Sequence, residues 1–168
     1  DQLGASHLET LQVKMNLAVL KDEEGERAAT HKMYEVIEGR TTQLGATHKD
    51  TLDAMMTLAI VLKKTGKFAE AQALYEKVVA GYTTQLGEAH PDTIEAKFNY
   101  GVMLRHHAIE AEENGDRAGA AELYDKALPL LEAAVEGRTT QLGATHRETL
   151  RAMNNLANLL QQTGKRDK

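Results

Sequence analysis

The sequence contains no cysteine and no tryptophan. Without cysteine there is no disulfide framework, no thiolate metal site and no cysteine nucleophile, a composition that fits a reducing, cytoplasmic setting. Only two prolines interrupt the 168 residues, and aromatic residues make up 4%. No apolar run approaches the roughly 20 residues that a membrane span needs, so no membrane partner is expected. Sustained polar–apolar alternation is missing too, which argues against strands. The charge balance shows no basic excess: the net charge is −5, which disfavours a nucleic-acid partner. No phosphate loop, nucleophile motif or HExxH string occurs, and the reading is of a protein that is not an enzyme and has no cofactor. A signal-peptide pattern is absent, and the chain opens with DQLGASH, the middle of a repeat, as an excised fragment would.

Repetition is what the sequence does have. Residues 38–48 read EGRTTQLGATH, residues 136–146 read the same, and GYTTQLGEAH stands at 81–90. Leu-Gly pairs fall at 3–4, 44–45, 86–87 and 142–143, each followed by a histidine (His7, His48, His90, His146) and then a threonine (Thr10, Thr51, Thr93, Thr149). Such self-similarity is the mark of a repeat array. The repeats are residues 1–43, 44–85, 86–141 and a half repeat at 142–168.

Within a repeat the apolar spacing is helical. Leu52, Met55, Leu58, Ala59 and Leu62 recur at three and four residues, and Phe68, Ala71, Leu74, Tyr75 and Val78 do the same after Gly66. Gly25, Gly66, Gly115 and Gly164 each end a first helix, so every complete repeat is a helix–turn–helix hairpin. The expected total is seven helices, four first and three second. Gly45, Gly87 and Gly143 are expected to end the second helices. Thr47–Asp50 and Thr145–Glu148 read as capping boxes for the next first helix, with His90 as the cap before Pro91.

The third repeat is longer by 14 residues, divided evenly between its arms: seven more from His90 to Gly115 and seven more from Tyr124 to Leu142. Seven residues are two helical turns, about 10 Å. The third hairpin is therefore expected to project past its neighbours at the tip, 106–119, with Pro129 kinking its second helix. His106, His107, Glu110 and Glu113 are ligand-type residues at helical spacing, but a solvated charged face explains them better than a metal.

These strings resemble a known family. LGEAHPDT (86–93), NNLANLL (154–160) and GKFAEAQALYEKVV (66–79) are similar to the tetratricopeptide repeats of about 42 residues found in kinesin light chains. Leu58-Ala59 and the Ala71–Tyr75 pair match the small-residue and Ala-x3-aromatic steps of the repeat. The resemblance implies an all-α, right-handed α-solenoid with the first helices lining a concave groove. It also implies that the groove binds a short cargo peptide, with Asn154 and Asn155 taking part.

Helical periodicity then places the groove stripe beside the core positions: Met15, Asn16 and Val19 in repeat one; Met56, Ile60, Lys63 and Lys64 in repeat two; Phe98, Asn99, Val102 and Arg105 in repeat three; and Arg151, Asn154, Asn155 and Asn158 in repeat four. The leading expectation is a scaffold that binds a protein or peptide ligand. That ligand is acidic with one apolar anchor, the anchor meeting Met56, Ile60, Phe98 and Val102 and the carboxylates meeting Lys63, Lys64, Arg105 and Arg151. A structural spacer, or a segment that self-associates through its ends (Met153, Leu156, Leu160), is the competing expectation.

Overall fold

The computed structural model describes residues 23–164, with side chains from residue 27 onward. Six helices follow one another: α1 (Glu23–Leu44), α2 (Lys49–Lys64), α3 (Phe68–Leu86), α4 (Pro91–Glu113), α5 (Arg117–Leu142) and α6 (Arg147–Gly164). No strand occurs among the described residues. Six helices stand where the sequence predicts seven. The remaining one, the first helix of repeat one, lies outside the described residues, as do His7, Met15, Asn16 and Val19. One boundary also differs from expectation. Gly25 lies within α1 rather than in a turn between helices.

Each described helix packs on its neighbours in chain order, and the first helices α2, α4 and α6 also touch in sequence. Contacts therefore run from one repeat to the next, as in a solenoid. Glycine sets both kinds of turn. Gly66 and Gly115 end α2 and α4 with φ of 73° and 86°, and Gly45, Gly87 and Gly143 end the second helices with φ between 88° and 97°. L-residues with a side chain rarely adopt that region.

The core is built from the positions that match between repeats. Ala71 and Tyr75, like Ala120 and Tyr124, are fully buried, as are Leu58, Ala59 and Leu62. Tyr75 stacks on Tyr100 of the next hairpin with centroids 5.7 Å apart, so the aromatic of one second helix packs on the following first helix. The small-residue position of α4 is Gly101. A Cβ there would lie 2.8 Å from Leu131 Cγ and 3.3 Å from the Ala127 carbonyl. The glycine lets α4 and α5 approach closely.

The extra length of the third hairpin is real in both arms: α4 has 23 residues against 16 in α2, and α5 has 26 against 19 in α3. Pro129 lies inside α5, which continues through it as one helix. Pro129 and Asp125, four residues before it, are both exposed, where water can take the place of the backbone bond that proline forfeits.

Gly101→Ala is expected to lower the stability of the array by about 1–3 kcal/mol, because the methyl meets the branch point of Leu131 and a backbone carbonyl. Urea denaturation checks this; an unchanged midpoint would mean that the helices have room to spare at this crossing.

Candidate peptide-binding groove

The groove helices are set by their junctions. His48, His90 and His146 each turn the imidazole back, so that Nδ1 accepts the N–H of Asp50 (3.2 Å), Asp92 (3.1 Å) and Glu148 (3.2 Å). This corrects the expectation of threonine caps: α2 begins at Lys49, which makes His48 the N-cap and leaves Thr47 one residue too early. The imidazole does for all three helices what was expected only of His90. A second tie explains the arginine in the duplicated EGRTTQLGATH. Arg40 donates to the Asp50 carbonyl at 2.6 Å, and Arg138, at the matching place, donates to the Glu148 carbonyl at 3.1 Å. In repeat two Tyr82 stands there instead and donates to the Asp53 carboxylate.

The stripe residues divide into accessible and committed groups. Met56 and Ile60 are half-buried against the core, Lys63 is half-buried and Lys64 is exposed. Phe98 and Val102 are not free to anchor a ligand, since they retain 4% and 9% exposure. Arg138 reaches over from α5, and its guanidinium lies 4.1 Å from the Phe98 ring centroid; that of Arg151 lies at 4.7 Å. The aromatic face that the stripe offset assigned to the groove is thus covered by the protein's own cations. Arg138 was not among the candidate residues, although its place in the duplicated segment was a signal. It pairs with Glu95 and Glu148, and Arg151 contacts the same two carboxylates at 3.6 and 3.2 Å. Asn99 donates to Glu95 at 3.0 Å, and Asn155 donates to the Arg151 carbonyl at 2.9 Å. Asn154 is exposed and Asn158 half-buried.

Two sequence profiles, both of the tetratricopeptide repeat, match residues 51–92 and 118–168, together more than half of the chain. The chain belongs to the tetratricopeptide-repeat family. Its fold is similar to that of a solved Podosopora anserina protein described as a kinesin light chain with nearly identical TPR-like repeats. A variant of that protein, with a glutamine replaced by methionine, gives a TM-score of 0.51 and the other form 0.50; each is 21% identical over 96% of this chain and 90% of the other. At that identity the likeness concerns the fold. No curated protein matches the sequence.

At the turn end of its first helices the tetratricopeptide array gathers positive charge. Burial lowers the pKa of Lys63, and the charges of Lys64, Arg105 and Arg151 lower it further. Burial likewise lowers that of Arg105, whose Nε is buried without a hydrogen-bond partner. His106 joins the cluster: burial and then the charges of Arg105 and Lys63 hold its pKa below the usual 6.5. Lys63, Lys64 and Arg105 have no ion-pair partner among the described residues. These three cations and Arg151 were legible in the stripe. His106 was missed, although it aligns with Lys64 of the preceding repeat and could have been found that way.

Lys63→Ala removes one repelling charge and is expected to raise the His106 pKa toward its ordinary value, as read from the pH dependence of its imidazole NMR signals. An unchanged or lower value would separate His106 from the cluster.

Proposed function

We propose that this array is a protein-interaction scaffold whose first helices line the concave side of a right-handed solenoid and hold a short acidic peptide. Tetratricopeptide repeats in general mediate contacts between proteins, and the charge cluster supports the more specific reading. Lys63, Lys64 and Arg105 carry unpaired charge in a protein whose net charge is −5. Two of the three are partly desolvated at a cost that an incoming carboxylate would offset. Met56 and Ile60, partly open beside Lys63, supply the apolar contact, while Phe98 and Val102 serve the packing beneath. Exposed Asn154 and half-buried Asn155 and Asn158 offer amides to an extended backbone. The reading is of a binding protein rather than an enzyme, working in the cytosol.

Self-association has an observation of its own. Leu52, Ala59 and Leu62 of α2 are buried under α3, but the matching Leu150, Ala157 and Leu160 of α6 are exposed, Leu160 to 50%. A second copy, offering a helix with the apolar face of α3, would cover them.

Acidic peptides with one large aliphatic residue are expected to bind with micromolar affinity, weakening as salt rises. Lys63→Glu with Lys64→Glu is expected to weaken them at least tenfold, about 1.4 kcal/mol, in fluorescence polarisation. Equal binding by the variant would remove the groove as the working surface.

A further inference from the structure

The projecting third hairpin makes a second cleft that shares no residue with the groove. Helices α2 and α4 start level, since Lys49 and Asp92 meet at 2.6 Å beside the two histidine caps. The additional two turns of α4 therefore overhang the α2–α3 turn. His107, Glu110 and Ala111 of α4 and Asn114, its C-cap, recur at three and four residues, one stripe that faces residues 66–70 across a cleft of about 460 Å³. Phe68 forms its apolar floor, stacked on His107 with centroids 4.9 Å apart and planes at 12°. Glu70, Glu110 and Asp116 line it with carboxylates. None of the three is in an ion pair among the described residues. Glu70 accepts the Tyr34 hydroxyl at 2.8 Å, and Asp116 accepts the Gly119 N–H at 2.9 Å, so both keep acceptor capacity. Lys67 and His107 are the basic residues in the lining, against three carboxylates.

We infer that this cleft is a second docking surface, for a segment of a partner protein that carries an arginine or lysine beside an aliphatic residue. The volume lies within the range of ligand pockets, roughly 300–1,000 Å³, and suits one long side chain with its neighbour. The chemistry fits the two ends of such a side chain. The methylene stem lies on Phe68 and Ala111, and the cationic head reaches Glu110 and Asp116, where charge-assisted hydrogen bonds form. An acidic segment is excluded from the cleft by the same carboxylates and directed to the groove.

The test is an amide NMR titration of the whole chain with the acetylated, amidated peptide Leu-Arg-Leu-Arg, and separately with Leu-Glu-Leu-Glu. The arginine peptide is expected to shift the amides of residues 66–70 and 107–114 saturably, and the glutamate peptide to leave them in place. Glu110→Lys, at an exposed helical position, is expected to keep the helical circular-dichroism spectrum and weaken the arginine peptide at least tenfold. The inference is overturned if the cleft amides stay still, if both peptides move them alike, if only groove residues respond, or if Glu110→Lys binds as well as the parent.

Discussion

Everything in this array depends on one joint, the place where a second helix stops and the next first helix starts. Gly45, Gly87 and Gly143 turn the chain through positive φ, and the histidine that follows shortly after each captures the N–H of the second residue of the new helix. Arg40 and Arg138 then reach from the helix just ended to a carbonyl of the helix just begun. A helix end leaves several N–H groups unpaired, and satisfying them the same way each time fixes the same entry angle. The histidine cap is shared by all three joints, with Tyr82 in place of the arginine in the middle one, and α2, α4 and α6 touch in sequence. That is why one surface-looking string recurs: it encodes geometry rather than chemistry.

The fixed joint also explains how the third hairpin can be longer without disturbing its neighbours. Seven residues added to each arm return the apolar stripe to almost the same face, since two turns take about 7.2 residues. Thus Tyr124 and Ala120 of the longer arm are as fully buried as Tyr75 and Ala71. The overhang then separates charge along α4. Arg105 and His106 belong to the basic cluster beside Lys63, whereas His107 and Glu110, one helical face away, border the acidic cleft.

Much of this was legible in the sequence because helical periodicity and glycine placement are local properties. The hairpins, the turns at Gly66 and Gly115, the even division of the added length and the grouping of Lys63, Arg105 and Arg151 all follow from spacing. What was not legible involved reach across elements. Nothing in the spacing of α4 tells that Arg138 of α5 lies over Phe98, so an apolar stripe residue looked open when it was covered. The caps failed for a subtler reason: Thr47 and His48 are adjacent, both accept hydrogen bonds, and a shift of one residue in the helix start decides between them. The exposed leucines of α6 were anticipated at Leu160 but not at Leu150, although the counterparts of both, Leu62 and Leu52, are buried in α2.

The joint can be examined at the atom on which it turns. An imidazole that accepts a backbone N–H at Nδ1 must carry its own proton on Nε2. Long-range proton–nitrogen NMR of the histidine rings at a pH above their titration reads that tautomer directly. The account predicts bare Nδ1 and protonated Nε2 at His48, His90 and His146 alike. A proton on Nδ1 at any of the three would contradict it, because that helix would then start from some other cap and the shared step between hairpins would lose its cause.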